Sequence, residues 1–469
     1  MRAIPALGLL SGIALSSAGA MGQAAPPVEE QMQRMQEELD ALRADNADMR
    51  TELSELQAVA NDDWLTDARA NEVRNLVADV LADSQMRSSL LDDGMTAGWS
   101  DGFFLASPDG KFKLEIGGQL QIRWAMNYKN EPDRYVSGWE VTRTNLRFKG
   151  HVFNRDIQYF IRTDITRDET GLVQGIGYLK DAWVRFNFRN DFSMRIGQFK
   201  SPFMREELVD SSRQLAAERS IMNENLSIER TQGIEFFFSA DPTSTLAISL
   251  NDGGTDQIGG FNLAQSDPKN TDALANIAEW AVTGRWEKLI AGRWKQFADF
   301  TSPQGDEFGM LFGIAAHAQQ NRRGVPSFFP NQRDWVAYTT DLSVEWGGAN
   351  LFASWTHHYL EIPNLTVNVY GALVQGGVYL TPKWELFGRF EYAWYRFDNN
   401  GLDQLAVFTI GTNYYIEGHA LKWTNDLGVS FNQIDAGFMR NSMITNYRQE
   451  TSSSAGPQVV FRTQLQLLF

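Results

Sequence analysis

The C-terminal segment PQVVFRTQLQLLF, residues 457–469, decides the fold because its two faces differ in polarity. Apolar and polar side chains alternate along it, which is the pattern of a half-buried β-strand. One face carries the apolar residues Phe461, Leu465 and Leu467, and the other carries the polar residues Arg462, Gln464 and Gln466. Chain ends usually fray, so a strand that stays amphipathic up to Phe469 is expected to be paired on both edges.

The N-terminal residues predict a secretory signal peptide over residues 1–20. Arg2 precedes the apolar run Ile4–Leu15, and the small residues Ala18–Ala20 form a cleavage site, with Ala24 as a second candidate. No later run of eighteen apolar residues predicts a membrane helix. The chain has no cysteine, so no disulfide is expected. These features are typical of a protein of a periplasm-like space or of an outer-membrane β-barrel.

The net charge of −16 is concentrated near the N-terminus. Residues 26–101 hold 18 acidic and six basic side chains and therefore contribute −12. With the single charge of Arg2 also set aside, residues 102–469 are left with −5. Surfaces that bind nucleic acid are basic, so the composition argues against a nucleic-acid partner.

A heptad pattern follows the signal peptide. Its seam positions recur at alternating intervals of three and four residues, as in a coiled coil. The seam consists of Met32, Met35, Leu39, Leu42, Asn46, Met49, Leu53, Leu56 and Ala60. Asn46 is polar, and such a residue fixes register at some cost in stability. We predict a coiled-coil stalk over residues 26–61 and a helical linker over residues 62–101; the alternative is an isolated, partly disordered acidic helix.

After Asp101 the period of the sequence changes to two. In residues 335–346, WVAYTTDLSVEW, Val336 and Tyr338 share one face while Ala337 lies on the other. Strands of this length are long for a soluble sheet but suit a tilted membrane-spanning strand. Sixteen candidate strands start near residues 111, 138, 156, 176, 192, 231, 244, 276, 307, 334, 349, 366, 383, 403, 419 and 457. The predicted fold class is all-β: a 16-stranded antiparallel transmembrane β-barrel over residues 102–469, preceded by an α-helical coiled-coil stalk.

The connections support a barrel. Links after even-numbered strands are mostly tight, as at residues 189–191, and links after odd-numbered strands are mostly longer, with about 30 residues following Phe199. Short turns at one rim and long loops at the other are typical of outer-membrane barrels, whose last strand pairs with the first. Residues 288–306 are an exception, because a tight turn is expected there. The alternative is a soluble jelly roll or lectin-like sandwich.

Residues 195–220, RIGQFKSPFMREELVDSSRQLAAERS, resemble the phosphate-selective porin O and P family. The matching pieces are Gly197-x-Phe199-Lys200-x-Pro202-Phe203 and Glu218-Arg219-Ser220. The resemblance implies a 16-stranded, usually trimeric porin whose long third loop folds inward and narrows the pore. The stalk is not part of the family pattern; it resembles porins with an N-terminal periplasmic coiled coil, which a trimer would bring together.

Taken by strand parity, the lumen face of the first five strands is rich in basic side chains. These are Arg123, Arg143, Arg147, Lys149, Arg162, Arg185 and Arg195, against Glu115, Asp164 and Asp181. Because rings of Arg and Lys select anions in pores, we predict pore-lining cations and an anion preference. The equal alternative is that these arginines pair with carboxylates of the inward loop and support it. Arg123, Arg147 and Arg162 are expected to share one height.

The predicted constriction loop carries nearly balanced charge. Its five bases and six acids are Lys200, Arg205, Arg213, Arg219 and Arg230 against Glu206, Glu207, Asp210, Glu218, Glu224 and Glu229. The constriction is therefore not plainly cationic, and the resemblance does not extend to phosphate selectivity.

No residue pattern predicts an enzyme, a cofactor or a metal site. His357 and His358 are neighbours on one strand and would point to opposite faces, which makes a poor metal pair. We predict a trimeric porin in the outer-membrane bilayer that passes small hydrophilic solutes or anions by passive diffusion, with its stalk in the periplasm. The alternative is a structural barrel that moors the outer membrane to cell-wall material through the stalk.

Overall fold

The computed structural model describes ten parts of the chain. They are residues 95–99, 102–129, 134–166, 178–254, 278–321, 334–362, 365–397, 402–434, 445–448 and 457–469. The predicted signal peptide, the predicted stalk and most of the predicted linker lie outside the described residues.

The described residues form a closed antiparallel β-barrel. The strands are β1 (Thr96–Trp99), β2 (Phe103–Ala106), β3 (Lys113–Tyr128), β4 (Tyr135–His151), β5 (Ile157–Asp164), β6 (Tyr178–Arg189), β7 (Phe192–Lys200), β8 (Arg230–Asp241), β9 (Ser244–Asn251), β10 (Ala278–Ala291), β11 (Gly309–Asn321), β12 (Asp334–Trp346), β13 (Ala349–Ile362), β14 (Leu365–Thr381), β15 (Trp384–Phe397), β16 (Leu402–Glu417), β17 (Leu421–Ser430) and β18 (Val459–Leu468). Each strand from β3 to β17 pairs with the next, and β18 pairs with β3. The predicted 16-stranded barrel is confirmed.

Alternation along each strand separates the lumen from the outer surface. On β12, Val336 and Tyr338 are 45% and 42% exposed, whereas Ala337 is fully buried. The same alternation holds on β18, where Leu465 and Leu467 are exposed and Arg462 is buried. Successive side chains of a strand point to opposite faces, so the apolar positions form the outer belt. Among the described residues, no helix is both long and apolar enough to cross a membrane.

Two short strands precede the barrel, and they correct one prediction. Thr96–Trp99 is strand β1, although the sequence predicted a helical linker up to residue 101. This strand pairs with β2, and β2 in turn pairs with β3 from Phe103↔Ile116 onward. Strand β18 ends its pairing at Gln119, so β2 supplies hydrogen bonds that the start of β3 would otherwise lack. Available ladder partners outweigh the local helical preference here.

The last residue completes the closure. The Phe469 amide donates to the Gly118 carbonyl at 3.2 Å, and the Gly118 amide donates to the Phe469 carbonyl at 2.5 Å. A Cβ atom on Gly118 would lie 2.4 Å from the tip of the Phe469 ring. The terminal ring therefore lies directly over a residue without a side chain.

The two rims of the barrel differ as predicted. At the short-turn rim, β6 and β7 are joined by residues 190–191, and β12 and β13 by residues 347–348. The opposite, long-loop rim carries residues 201–229 between β7 and β8, which we call the inward loop. At the short-turn rim, β10 and β11 are joined by residues 292–308, which we call the inserted turn. This is the link whose length the sequence left unexplained.

The inward loop lies inside the barrel and supplies its main apolar core. It contains helix α1 (Arg205–Leu208), a 3-10 turn (Ser211–Arg213) and helix α2 (Ile221–Leu226). The core packs loop side chains against lumen-facing wall side chains, including Phe203, Leu215, Met222 and Leu226 against Trp335, Phe352, Leu373, Tyr395 and Leu405. Each such buried side chain contributes roughly 1.5–3 kcal/mol, so this packing holds the loop firmly against the wall formed by β12 to β16.

Candidate functional site

The inward loop is joined to the β3–β4 wall through Glu218. This carboxylate accepts a hydrogen bond from Arg123 at 2.8 Å and two from Arg143 at 2.9 and 2.6 Å. All three side chains are buried, and Arg123 also pairs with Glu140 at 2.6 Å. Hydrogen bonds between ionised groups are the strong ones, so Glu218 fixes the loop to this wall.

The two residues after Glu218 fold the loop on itself. Arg219 donates to the Glu206 carbonyl at 3.1 Å and pairs with the Glu207 carboxylate at 3.2 Å. The Ser220 side chain accepts from the Asn223 amide at 2.8 Å and donates to Glu206 at 2.6 Å. Ser220 is therefore the N-cap of α2. Each residue of the Glu218-Arg219-Ser220 motif therefore makes a contact that holds the inward loop in place.

The first part of the motif lies where β7 enters the loop. Phe199 is fully buried and lies under the guanidinium of Arg195, with 4.4 Å between the guanidinium carbon and the ring centre. Pro202 has no amide hydrogen to donate and cannot continue the ladder. Phe203 packs edge-on against His358, and its carbonyl accepts a hydrogen bond from Arg285 at 2.8 Å. The chain is thereby turned into the lumen.

Contacts with β17 and β18, on the other side of the seam from β3 and β4, fix a further part of the loop. The Ala217 amide donates to Asp426 at 2.9 Å, and Lys422 donates to the Gln214 carbonyl at 2.9 Å. Gln466, on the last strand, donates to the Ser212 carbonyl at 3.0 Å. Because β18 pairs with β3, these strands are neighbours in the closed barrel, and the loop that leaves β7 and returns at β8 contacts β17 and β18 as well as β3 and β4.

Four of the five cations named for the constriction loop contact loop or wall groups, and the fifth, Arg230, is the first residue of β8 and pairs with Asp181 at 3.0 Å. Lys200 donates to the Glu207 carbonyl, and Arg205 donates to Ser343 at 2.9 Å. Arg213 pairs with Asp299 at 3.2 Å, and its side chain is 43% exposed, whereas Arg205 and Arg219 are buried. Arg213 is thus the member of the four that is best placed to meet a passing solute.

Several predicted lumen cations are paired with carboxylates. Arg123 and Arg143 share Glu218, and Arg162 pairs with Asp210 of the inward loop. Arg162 is also 4.0 Å from Asp181. These contacts agree with the alternative in which the arginines support the loop.

The four other predicted lumen cations, together with Lys113, outnumber their carboxylate partners, and they lie toward the short-turn rim. Lys113 and Lys149 share Glu115 at 2.9 and 2.7 Å, and the Lys149 side chain is 57% exposed. Arg147 donates to the Gly118 carbonyl at 3.3 Å. Arg185 donates to Ser193, and Arg195 pairs with Glu235. Among the described residues, neither Arg147 nor Arg185 has a carboxylate within ion-pair distance, so this part of the wall holds five bases against two acids.

The prediction that three arginines share one height is corrected by the strand register. Arg147 lies directly opposite Arg162 on β5 and opposite Gly117 on β3. Arg123 lies six residues farther along β3 and opposite Glu140. A β-bulge between β3 and β4 near residues 121–122 adds to the offset. Arg123 therefore acts at a different level from the other two.

Aromatic side chains accompany the excess cations, a feature that the sequence reading did not identify. The Arg185 guanidinium lies 4.4 Å from the centre of the Phe237 ring, and Arg195 lies 5.6 Å from that of Trp183. These rings occupy the same strand face as the arginines. Cation–π contact holds a guanidinium in place without neutralising it. Parity applied to aromatic as well as basic residues would have found these pairs.

Comparison with known proteins agrees with this geometry. The sequence model described as "Phosphate-selective porin O and P" matches residues 114–467, which covers the barrel and the inward loop. The chain belongs to this porin family. A curated relative from Aquifex aeolicus (strain VF5), described as an uncharacterized protein, is 24% identical over 277 residues, covering 52% of this chain and 61% of the relative. The chain thus spans about three fifths of the length of that relative.

Solved structures of outer-membrane proteins are similar to this chain at low sequence identity. Pseudomonas putida OprB, in a high-pH structure, is 7% identical with a TM-score of 0.50, covering 76% of this porin and 94% of that chain. An anion-selective porin from Comamonas acidovorans is 11% identical with a TM-score of 0.49, covering 76% and 99%. The outer-membrane channel DcaP of Acinetobacter baumannii is 10% identical with a TM-score of 0.49, covering 76% and 97%. The family and the barrel together place the porin in the outer membrane.

Two carboxyl groups of the inward loop have opposite electrostatic surroundings in this porin. Burial alone would raise the pKa of Glu218, but Arg143 and Arg123 outweigh it and lower that pKa to about 2. Burial raises the pKa of Glu224 to about 8, and Arg219 offsets this only in part. Glu218 is thus ionised at neutral pH, while Glu224 is largely protonated.

His357 and His358 point to opposite faces of β13. His358 accepts a hydrogen bond from Trp335 at 3.1 Å on the lumen face, whereas His357 contacts Asn368 at 2.9 Å on the outer face. In the described ranges no group of three or more His, Cys, Asp or Glu side chains is arranged to hold a metal ion.

Proposed function

We propose that the protein is a trimeric outer-membrane porin that lets small hydrophilic solutes diffuse passively and prefers anions. The excess of positive charge on the β3–β8 wall carries this proposal. Arg147 and Arg185 have no carboxylate partner among the described residues. Lys113 and Lys149 share the single carboxylate of Glu115, which leaves one further positive charge uncompensated, whereas the Arg195–Glu235 pair is balanced. Fixed charges act strongly in a narrow pore with low-dielectric walls.

The loop arginines have a different role in this proposal. Arg123, Arg143 and Arg162 hold the inward loop, and their charges are balanced by Glu218, Glu140 and Asp210. Selectivity then comes from the wall nearer the short-turn rim, and the loop sets the width of the passage. No phosphate-specific site is proposed, because no phosphate-binding cluster of loop cations stands free among the described residues.

The test is a single-channel recording in a planar bilayer under a salt gradient. Replacing Arg147 and Arg185 together with glutamine should shift the zero-current potential toward cations and leave assembly unchanged. The matched control is Arg189→Gln, because Arg189 is also basic and lies on β6, but it is exposed at the turn and paired with Asp191 at 3.1 Å. A wild-type channel that prefers cations, or equal shifts in both variants, would refute the assignment of selectivity to this wall.

A second candidate function is a structural barrel that moors the outer membrane to cell-wall material through a periplasmic stalk. The packing of the inward loop favours it, since nearly every lumen-facing side chain from β10 to β18 is buried. Absence of current from folded barrels, together with co-sedimentation of the full chain with purified cell-wall material, would support mooring. The porin proposal, in contrast, requires a measurable current through the folded barrel. It assigns the chain no catalytic role.

A further inference from the structure

The inserted turn is long for its rim and is partly buried. Residues 292–308 contain a 3-10 turn (Trp294–Ala298), and Phe297, Phe300, Thr301 and Ser302 are all buried. Loop backbone is normally placed at the surface, because buried polar groups need partners. A segment that buries two phenylalanines at the end of a barrel is therefore held inside the structure.

The inserted turn contacts the inward loop directly. Arg205 of α1 donates to the Phe297 carbonyl at 2.5 Å, and its guanidinium lies 5.7 Å from the centre of the Phe300 ring. Arg213 pairs with Asp299 at 3.2 Å. A segment from the short-turn rim thus meets a loop from the long-loop rim within the lumen.

The inserted turn also contacts the wall and a neighbouring short turn. The rings of Phe300 and Phe352 are 4.8 Å apart, and the Pro303 carbonyl accepts from the Gly348 amide at 3.1 Å. His419, between β16 and β17, lies 3.4 Å from the Asp299 carboxylate. Asp299 therefore lies between a cation of the inward loop and a histidine of the rim, and its side chain is 16% exposed.

A cavity remains beside the inserted turn. Its volume is about 570 Å3, and its lining includes Arg293, Lys295, Asp306, Lys383 and Glu417. It is bounded by the inserted turn and by the short turns after β14 and β16. Charged side chains of both signs keep it wet, which suits a passage for hydrated solutes.

We propose that the inserted turn is a second constriction element and that Asp299 is the positioning residue that joins it to the inward loop. The two segments meet at Arg205 and Arg213, so they form one partition across the lumen. The cavity beside the inserted turn adjoins this partition at the short-turn rim. The inference rests on the proposed channel function for its electrical readout, but the contact itself is testable without current.

The contact is tested by limited proteolysis of the folded full-length protein in detergent micelles. Asp299→Asn removes the carboxylate partner of Arg213, so trypsin should cleave after Arg213 about tenfold faster than in the wild type. The matched control is Asp306→Asn, which removes the same charge from the same segment at a position without a contact to the inward loop among the described hydrogen bonds and ion pairs. Equal cleavage rates in the two variants would overturn the inference, whatever the channel conducts.

The constriction is tested by conductance. Ala291 and Met310 are register partners, so Gly292 comes opposite Gly309, and replacing residues 293–308 with Asn-Gly closes the β10–β11 hairpin by a two-residue turn. This variant should conduct more than the wild type, and Asp299→Asn should show more frequent current fluctuations than Asp306→Asn. Unchanged conductance in a folded replacement variant would overturn the inference. If that variant does not fold, equally frequent current fluctuations in Asp299→Asn and Asp306→Asn would overturn it instead. A wild-type barrel without current would refute the proposed function, and the proteolysis result would stand separately.

Discussion

Replacing Glu218 with glutamine tests how the inward loop is held. The change keeps the shape of the side chain but removes the charge that faces Arg123 and Arg143. Glu218 accepts three hydrogen bonds from these two buried guanidinium groups. Arg123 keeps Glu140, and Arg143 keeps a hydrogen bond to Gln121 at 2.9 Å, so the barrel itself should still assemble.

The expected loss can be worked from these contacts. Removing one partner of a buried ion pair costs about 3–5 kcal/mol. Because every 1.4 kcal/mol is a factor of ten, the undocked population of the loop should rise by about two to four orders of magnitude. Cleavage by trypsin at the loop arginines reports this population, since proteolysis of a transiently opened segment follows its equilibrium opening.

The control is Glu224→Gln in the same loop. Burial raises the pKa of Glu224 to about 8, so at pH 7 its carboxyl is largely neutral and an amide changes little. We expect cleavage at pH 7 to accelerate strongly in Glu218→Gln and hardly at all in Glu224→Gln. Similar cleavage of Glu218→Gln and wild type would show that the apolar packing alone holds the loop, and the role given to Glu218 would be wrong.

Three further predictions follow from other parts of the chain. Burial lowers the pKa of His419, although Asp299 opposes this. The stability that neutral His419 provides is therefore present above its ordinary pKa of about 6.5, and it is lost as pH falls from there through the lower pKa of the folded state. Current fluctuations should increase from pH 7 to pH 5, and His419→Gln should remove that dependence. A peptide of residues 28–60 should sediment as a trimer, with Asn46→Leu raising its melting temperature while loosening the oligomer choice; a monomer would refute the stalk. Phe469→Ala removes a half-exposed ring at the closure and should cost ~1 kcal/mol, read as a lower unfolding temperature on a gel.

The strands were predictable because their period is strict. Predicted starts near residues 244, 334 and 349 coincide with the starts of β9, β12 and β13. Period two leaves only two choices of face, and Arg123 and Arg162, which parity places on the lumen side, contact Glu218 and Asp210 of the inward loop. Heights along the barrel were not predictable in the same way, because register depends on bulges and turn geometry between strands.

The apolar part of the lumen was not predicted. On β14, Val367, Val369 and Leu373 face the inward loop, while Val374 and Val378 on the other face are exposed outward. With both faces apolar, parity cannot separate lipid contact from core packing. The sequence left open whether the arginines pair with carboxylates of the inward loop, and it could not say which ones. Glu218 and Asp210 lie on a loop, and no sequence period gives the position of a loop inside a barrel.

The inward loop also strengthens the seam of the barrel. Its residues contact Arg123 and Arg143 on β3 and β4 and Asp426 and Gln466 on β17 and β18. These strands lie on either side of the seam between β18 and β3, so the docked loop holds the two sides together from within the lumen. A barrel whose loop is undocked keeps only its strand ladder at the seam, and a seam that opens leaves two strand edges available for aggregation.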